Sequence, residues 1–393
     1  MTAPLSMPRA SPEAWLRDAR VRRAALEAIT VALLAALVLY IAMRAQAAGG
    51  LDLTFMEDRA GFGVGDQFLT NVDGGDSRWA IYVAGLMNTL RVTIFGIVIA
   101  LAVGLLVGVM RLSPNWLAAK LAFLYVEFVR NMPLPVFVVF CYTAVVLRLP
   151  RIPDSIDLFG VAYFSNRAVA LPSVTFGPGA GMWGLLTVVG VLAGWFAWRA
   201  LRAREAAIGR PSYPGRTGLA VFGAFVVGGF AVTGMPAQWD LPEIARFQYE
   251  GGLRLSPEYF GLLMALALFN AAFVAEIVRG AISSVPHGEK EAAAALGLSG
   301  WQQLTLVILP QALRVMLPPL ATQAQNVAKM SSIAIVVAFP DLMNVGGTII
   351  NNTGEAIPVF ILMMSTYFIL NILIALVFVG PQWRFKSSRG RRA

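Results

Sequence analysis

The chain has 393 residues and a formal net charge of +9, and 58% of its residues are hydrophobic while only 13% are charged. The charged fraction is about half that of an average soluble domain, so the composition predicts an integral membrane protein. A membrane-spanning helix needs about 20 apolar residues, and the length therefore allows several spans without a separate soluble domain. The single cysteine, Cys141, excludes an intrachain disulfide.

Eight apolar runs of spanning length are bounded by charges or by proline and glycine, and each is predicted to be a helix. The first follows a long polar lead without a small-residue cleavage site, so we interpret it as a retained span. The predicted fold class is an all-α integral membrane protein with about eight transmembrane helices. The predicted spans cover residues 24–43, 85–110, 121–147, 182–198, 218–235, 258–281, 320–339 and 358–380.

Basic residues mark one side of this predicted topology. Arginines cluster in residues 9–23, in residues 199–216 between the fourth and fifth spans, and in the closing "RFKSSRGRR", whereas acids outnumber arginines in residues 51–79. Lysine and arginine are enriched in cytoplasmic loops, so an even number of spans predicts that both termini are cytoplasmic. The basic surplus is thereby explained by membrane topology, and a nucleic-acid partner is excluded.

The predicted cytoplasmic segment between the sixth and seventh spans, residues 283–319, combines charges with an alanine block. In "EKEAAAALG", Glu289 and Glu291 occupy a first helical turn, where carboxylates suit the helix dipole, and Gly297 is a helix stop. Alanine has high helix propensity, so a short helix is predicted here. Its small side chains let another protein approach the backbone closely, and Glu291 offers a charge to a basic partner.

A second short helix is predicted directly after the first. Ser299 and Gln302 have the spacing of a capping box, and Pro310 interrupts the backbone hydrogen bonds at the far end. The alternative is an amphipathic segment lying on lipid, which favours a basic face opposite bulky apolar residues. An alanine-rich, glutamate-bearing segment fits that alternative poorly.

Polar and ionisable residues within apolar runs are costly and indicate function by default. Lys329 lies in "ATQAQNVAKMSSIA", which contains amides and hydroxyls but no acid. This stripe is either the wall of a passage that attracts a carboxylate or a polar seam between helices. The candidate passage residues are Asn270, Asn326, Lys329, Ser331, Ser332 and Thr366, with Asn371 as a further candidate.

Two acid–arginine pairs lie three residues apart near the predicted cytoplasmic ends of spans. Glu127 precedes Arg130, and Glu276 precedes Arg279. Residues at this spacing face each other on a helix, so each pair is predicted to neutralise itself locally and to be structural. His287, the only histidine, excludes a histidine-based metal cluster or triad and is predicted to be a solvated surface residue.

The segment "EAAAALGLSGWQQLTLVILP" resembles the EAA loop of ABC importer permeases, which in that family is the coupling helix that sits in a groove of the ATP-binding subunit. Other stretches, among them "YVEFVRNMPLPVFVVF" and "FVAEIVRGAISSVPHGEKEAA", resemble the polar amino acid branch. "YFSNRAVALPS" is similar to the longer permeases of general L-amino acid and glutamate/glutamine/aspartate/asparagine importers. The matching coupling residues are Glu291, Ala292, Ala293, Gly297, Ile308, Leu309 and Pro310.

The resemblance covers most of residues 85–381 and implies a type I ABC importer permease fold. It implies an insertion with two extra helices at about 150–256 and a coupling loop at about 283–319. Residues 1–84 are then a cytoplasmic N-terminus with an extra first helix and a periplasmic loop, and residues 382–393 are a basic cytoplasmic tail.

The function implied by the resemblance is import of L-amino acids across the bacterial inner membrane. The implied partners are ATP-binding cassette subunits, a homologous permease or a second copy, a periplasmic amino acid binding protein and membrane lipid. The chain has no G-x-x-x-x-G-K-[ST] loop, so ATP and magnesium are expected on a partner, with no cofactor, metal or catalytic site in this chain. Which amino acids are carried stays open.

Two other function classes stay open from the residues alone. An ion-coupled secondary amino acid transporter predicts inverted repeats with broken helices and titratable groups at the midplane. A membrane-embedded enzyme predicts a convergent set of nucleophile, base or metal ligands. One histidine and one cysteine disfavour the enzyme, and we see no internal repeat.

Overall fold

The computed structural model describes residues 52–209, 212–246 and 248–387, together with residues 29, 33, 36, 40 and 43. The predicted first span, residues 24–43, therefore lies outside the described residues apart from those five positions, as do residues 388–393 of the basic tail. The chain divides into two compact units. Within the described ranges, one comprises residues 52–89 with 340–376, and the other comprises residues 90–339 with 377–387.

The described chain is mostly helical. Short π turns at Phe140–Val145 and Gln303–Ile308 and 3-10 turns at Thr54–Met56, Val146–Arg148, Ile152–Asp154 and Ser331–Val337 accompany the α-helices. The helices are α1 (Arg78–Met110), α2 (Trp116–Arg130), α3 (Leu134–Val139), α4 (Ala180–Ile208), α5 (Pro214–Val232), α6 (Pro257–Ser283), α7 (His287–Ala295), α8 (Gly300–Gln302), α9 (Leu309–Met330), α10 (Leu342–Thr353) and α11 (Ala356–Ser387).

Six helical segments in the described chain are long and apolar enough to cross a membrane, and a bent pair of helices makes a seventh if it counts as one span. Each of the seven runs predicted within the described residues coincides with one of these. The predicted class of helical membrane protein is confirmed. The six segments are Arg78–Met110, Ala180–Ile208, Pro214–Val232, Pro257–Ser283, Gly300–Val337 and Ala356–Phe378.

The span predicted at 121–147 corresponds to this bent pair of helices. The chain forms α2 and a second helical segment, Leu134–Arg148, which bend by 112° relative to each other. Pro133 lies at the bend, and a proline disfavours the helical conformation of the residue before it. The Asn131 side chain donates to the carbonyl oxygen of Glu127 at 2.7 Å and so satisfies one of the carbonyls at the end of α2.

The prediction that Pro310 ends a short helix is wrong. The helical path continues from Gly300 to Val337 through the π turn, and Pro310 is the second residue of α9. A helix tolerates proline in its first turn, where the missing N–H has no regular partner. The segment ends at Ala338, a non-glycine residue with φ of +56°.

Eight short strands between α3 and α6 were not predicted. They form a four-stranded antiparallel sheet in the order β1-β2-β3-β8 and two two-stranded ladders, β4-β5 and β6-β7. Strands of three or four residues are too short for a readable alternation of apolar and polar residues. The strands are β1 (Ile156–Leu158), β2 (Ala162–Phe164), β3 (Val169–Leu171), β4 (Ser173–Phe176), β5 (Ala237–Asp240), β6 (Glu243–Ala245), β7 (Gln248–Glu250) and β8 (Leu253–Leu255).

Helices α4 and α5 form a hairpin whose two backbones lie in close contact. A Cβ atom at Gly194 would lie 2.7 Å from the carbonyl oxygen of Gly218, and one at Gly218 would lie 2.9 Å from that of Gly194. Only 11% of the apolar window of either helix is buried. The ladder of β4 with β5 continues the hairpin beyond its helices, so glycine contact and strand pairing together hold it.

Helix α6 is the centre of the same unit, and 72% of its apolar window is buried. It packs against α2 and α9, and the 104–108 stretch of α1 lies against it. A Cβ atom at Gly104 would lie 2.5 Å from Cβ of Val274, and one at Gly108 would lie 2.7 Å from the carbonyl oxygen of Ala275. These glycines let two spanning helices approach within backbone contact.

The other compact unit has its own apolar cluster, which includes Met56, Ile81, Leu342 and Ile349. Asp341 is fully buried in this unit and caps α10, because its Oδ1 accepts the backbone N–H of Asn344 at 2.9 Å. The Tyr367 hydroxyl donates to its Oδ2 at 3.3 Å. Asp341 lies outside the candidate spans, and burial raises the pKa of its carboxyl to about 7 although these hydrogen bonds lower it.

Candidate functional site

The EAA segment, residues 287–310, begins with a single well-terminated helix. Pro286 precedes α7, and Glu289 lies in the first turn. Gly297 follows the helix with φ of +76°, where its N–H donates to the carbonyl oxygen of Ala294. The N–H of Leu298 donates back to the carbonyl oxygen of Ala293 at 3.2 Å, the six-to-one bond of a glycine-terminated helix.

The second part of the EAA segment starts at the capping box expected from the sequence. The Ser299 hydroxyl accepts the backbone N–H of Gln302, and the Gln302 side chain accepts the backbone N–H of Ser299 at 2.9 Å. The Gln303 side chain donates to the carbonyl oxygen of Leu298 at 2.8 Å. These bonds fix the chain between the two helical parts, so the segment has a defined conformation.

One face of the EAA segment is exposed and the other lies against the protein. Glu291 and Ala292 are exposed, whereas Ala293 is 3% exposed. Sequence reasoning left out two large apolar side chains of the same segment, Leu296 and Trp301, which are 79% and 73% exposed. Ile308, Leu309 and Pro310, also predicted as coupling residues, are half-buried.

Side-chain contacts fasten the EAA segment to the helices on either side of it. Oε2 of Glu289 accepts from Nε2 of Gln311, in the first turn of α9, at 2.9 Å. Val285, just before α7, belongs to an apolar cluster with residues of α6 and α9, among them Ala312 and Met316. These contacts join α7 to both α6 and α9.

His287 is a surface residue, as predicted, and it has one partner. Its Nδ1 lies 2.9 Å from Oε1 of Glu291, and the two side chains are 82% and 69% exposed. The pair is one helical turn apart on α7, where such contacts stabilise a short helix by a few tenths of a kcal/mol. His287 therefore contacts Glu291 across one turn of α7. In the described residues no group of three histidine, cysteine or acidic side chains could hold a metal ion.

The two acid–arginine pairs predicted from spacing behave differently. Glu276 pairs with Arg279 as predicted, and it also pairs with Arg111 at the end of α1. The prediction that Glu127 pairs with Arg130 is wrong, since no ion pair joins them in the described structure. The Arg130 guanidinium lies instead over the ring of Phe273, 5.6 Å from its centroid. In each case a residue of another part of the fold makes the difference: Arg111 adds a second partner to Glu276, and Phe273 of α6 lies beneath Arg130.

The polar residues of α6 and α9 meet each other. Nε2 of Gln323 donates to Oδ1 of Asn270 at 2.6 Å, and Nδ2 of Asn270 donates to the carbonyl oxygen of Leu266 at 2.8 Å. Nδ2 of Asn326 lies 3.5 Å from Oε1 of Gln323. Asn270 is fully buried. These hydrogen bonds form a polar seam between α6 and α9 at Gln323.

The remaining passage candidates have separate surroundings. Lys329 is exposed, and the Ser332 hydroxyl donates to its carbonyl oxygen at 2.8 Å. Ser331 is fully buried and donates to the carbonyl oxygen of Ala328. Thr366 belongs to the other compact unit, where its hydroxyl lies 2.8 Å from that of Tyr82.

Comparison with known proteins identifies the family. The family described as binding-protein-dependent transport system inner membrane component matches residues 256–380, which include the EAA segment. The general L-amino acid transport system permease protein AapQ of Rhizobium johnstonii is 37% identical over 367 residues, 91% of each chain. This chain belongs to the amino acid ABC transporter permeases. The permease is the membrane component of such a system, and ATP hydrolysis in this family takes place in a separate subunit.

Two further relatives match different shares of this permease. The glutamate/glutamine/aspartate/asparagine transport system permease protein BztB of Rhodobacter capsulatus is 32% identical over 357 residues, 82% of this chain and 83% of that protein. The glutamate/aspartate import permease protein GltJ of Escherichia coli is 35% identical over 138 residues, 35% of this chain and 56% of that protein. Membership of this family overturns the ion-coupled transporter as an alternative.

Proposed function

We propose that this permease translocates L-amino acids from the periplasm to the cytoplasm across the bacterial inner membrane, powered by a separate ATPase. The observation that carries the proposal is the EAA segment, which offers an exposed face and is fastened to two spanning helices. The arginine clusters near residue 200 and at the C-terminus support a cytoplasmic location for the EAA segment and for both termini.

The ATP-binding cassette subunit docks on the exposed face of the EAA segment. Small side chains on α7 admit close approach, Glu291 meets a basic group, and Leu296 and Trp301 supply apolar contact area. ATP and magnesium are held by that subunit. A second permease, identical or homologous, completes the pathway, and a periplasmic amino acid binding protein delivers the substrate on the opposite side.

Movement of the docked ATPase is transmitted as a rigid-body displacement. The bond between Glu289 and Gln311 and the apolar contacts of Val285 tie α7 to both adjoining helices. A shift of the EAA segment therefore moves α6 and α9 together, and such helix movements can alternate access between two sides. The ATPase must bind the two states with different affinity, since equal affinity would shift nothing.

The substrate pathway is proposed to run past the exposed Lys329, whose ammonium favours the carboxylate of an amino acid. Ser332 and the half-buried Asn326 lie on the same stretch of chain. Asn270 and Ser331 are fully buried. They are therefore proposed to pack behind the residues that line the pathway. Thr366 stays a predicted pathway residue.

The proposal is tested by amino acid-stimulated ATP hydrolysis in proteoliposomes that contain the permease, its ATPase and its binding protein. Glu291→Arg reverses the docking charge, and Gly297→Trp places a bulky side chain at a left-handed position in open space. We expect both variants to lose at least tenfold in stimulation while membrane insertion persists. ATPase retention on the purified permease is measured in parallel.

Matched controls separate docking from folding. Gly160→Trp alters a left-handed glycine with φ of +68° in equally open space, and Glu243→Arg reverses an exposed charge on β6. Both are expected to couple normally. Normal stimulation in the two EAA variants, or transport without the ATPase, would remove the proposed coupling role.

A further inference from the structure

The hairpin of α4 and α5 carries an apolar groove at its arginine-rich end. The groove has a volume of about 450 Å³ and is lined by Val191, Gly194, Trp195, Trp198, Gly215, Gly218, Leu219 and Phe222. From Val191 to Trp198 the chain advances about 10 Å along the helix axis. The groove therefore has the length and apolar surface to accept part of an acyl chain.

The groove exists because glycines form its floor. Gly194 and Gly218 are in backbone contact, so neither position can carry a side chain that would fill the space. Gly215, by contrast, has no heavy atom within 4 Å of the position where a Cβ would lie. The walls are the aromatic side chains of Trp195 and Trp198, the first of which is exposed.

Three arginines surround the end of this groove. Arg199 follows Trp198 in the chain, Arg202 lies one turn further along α4, and Arg216 follows Gly215 on α5. Each guanidinium lies near an aromatic ring: Arg199 is 5.5 Å from Trp195, Arg202 is 5.1 Å from Trp198, and Arg216 is 5.3 Å from Tyr213. None of the three is in an ion pair within the described part of the chain. All three are exposed.

We propose that this groove binds an anionic phospholipid, with an acyl chain along the glycine floor and the phosphate among Arg199, Arg202 and Arg216. The groove is almost wholly apolar and has three cations at one end. A lipid with a negative headgroup and an apolar tail complements both features. An apolar helix of another protein could fill the groove, but it would not supply negative charge to the three arginines. The hairpin is thus a lipid-anchored addition to the permease.

The size of the expected effect follows from the charges. A basic residue close to an anionic membrane surface contributes about fivefold to affinity. Loss of all three arginines should therefore weaken binding of an anionic lipid by more than tenfold and that of a zwitterionic lipid by much less, because the ammonium group of the zwitterionic lipid offsets the charge of its phosphate. Filling the groove should weaken both lipids, because both depend on the acyl chain.

The experiment is native mass spectrometry of the full chain, titrated with palmitoyl-oleoyl phosphatidylglycerol and with the phosphatidylcholine of the same chains. The variants are Gly215→Leu, which occupies the groove, and the triple change Arg199→Gln, Arg202→Gln and Arg216→Gln. Gly223→Leu is the matched control, since it adds the same side chain in open space on α5 away from the groove. Helix content by circular dichroism is measured on every variant.

We expect phosphatidylglycerol to bind the natural chain at least tenfold more tightly than phosphatidylcholine. The triple variant should abolish this preference, Gly215→Leu should lower both affinities at least fivefold, and Gly223→Leu should change neither. Equal affinity for the two lipids, or natural affinity in the folded Gly215→Leu variant, would overturn the proposal. Binding of glycerol 3-phosphate as tight as that of the lipid would identify a free phosphate site instead, and would also overturn it.

Discussion

Helix α6 and the hairpin of α4 and α5 belong to the same compact unit and have similar apolarity, with mean hydropathy of 2.1 for the window of α6 against 1.7 and 1.5 for the hairpin. Yet 72% of the α6 window is buried and only 11% of each hairpin window. Apolarity therefore predicts that a helix crosses the membrane but not whether protein or lipid surrounds it. The difference lies in which partners the fold brings to each helix.

The two regions also differ in how they treat charge. The hairpin keeps its arginines exposed at one end, where lipid headgroups and water can solvate them. Near α6, charged side chains instead pair with one another: Glu276 forms ion pairs with Arg111 and Arg279. Charge in the core is thus tied to specific partners, and removing one partner leaves the other uncompensated.

The largest expected effect contrasts two glycine positions. Gly104→Leu should destabilise the protein by about 3 kcal/mol or prevent folding, because Val274 and the backbone of α6 occupy the space. Gly184→Leu on α4 should change stability by less than about 0.5 kcal/mol, since nothing lies within 4 Å there. Denaturant unfolding in mixed micelles measures both. Equal effects at the two positions would contradict the difference in surroundings.

The other compact unit contains a fully buried carboxyl group, that of Asp341. Asp341 has a folded pKa of about 7 against an ordinary value of 3.8, so between these pH values the folded state binds a proton that the unfolded state has lost. The free energy of unfolding should therefore fall as pH rises from about 4 to about 7, by a few kcal/mol at most. Asp341→Asn keeps the helix cap and should remove this dependence, as measured by unfolding at several pH values.

The exposed Asp154 is the control for that measurement. Asp154→Asn removes a carboxylate without opening a buried site and should retain the fall in stability between pH 4 and 7. A pH dependence that persists in Asp341→Asn would show that burial of this carboxyl is not its source.

The next effect separates the two acid–arginine pairs. Glu276→Gln should cost about 2 kcal/mol, because it leaves the largely buried Arg111 without its carboxylate partner. Glu127→Gln should cost less than about 0.5 kcal/mol, because Glu127 has no ion pair in the described structure. Thermal unfolding of the two variants under identical detergent conditions compares them. If Glu127→Gln lowers stability as much as Glu276→Gln, then the ion pairs of Glu276 do not explain its effect on stability.

The smallest effect concerns the polar seam. A double-mutant cycle with Asn270→Ala and Gln323→Ala should give a coupling energy of about 0.6 kcal/mol and at most about 1.7 kcal/mol, as double-mutant cycles give for interhelical hydrogen bonds in membranes. Replacement of Thr187, whose hydroxyl bonds only within α4, should show no coupling to Gln323→Ala. Additive effects of Asn270 and Gln323 would show that their bond does not hold α6 to α9.

The accuracy of the sequence-based predictions follows the range of the interactions involved. Hydropathy over a window of about 20 residues identified the spans within the described chain, and the glycine after α7 and the capping box at Ser299 were readable because they are local. The strands β3 and β8 were not, since the residues they pair, such as Ala170 and Arg254, are separated by the whole hairpin. The EAA segment was found from its own residues, but its contact through Gln311 was not.

Sequence by itself determined that the chain is a helical membrane protein and where its apolar helices lie, because propensity, apolarity and capping act over a few turns. The EAA segment was located by its resemblance to the loop of ABC importer permeases. Only the tertiary structure decided that Arg111 joins Glu276 and Arg279 in an ion network, that Asn270 bonds Gln323, and that α4 and α5 leave a glycine-floored groove. These outcomes depend on which helices become neighbours. That choice is made by packing across the fold, which no single segment encodes.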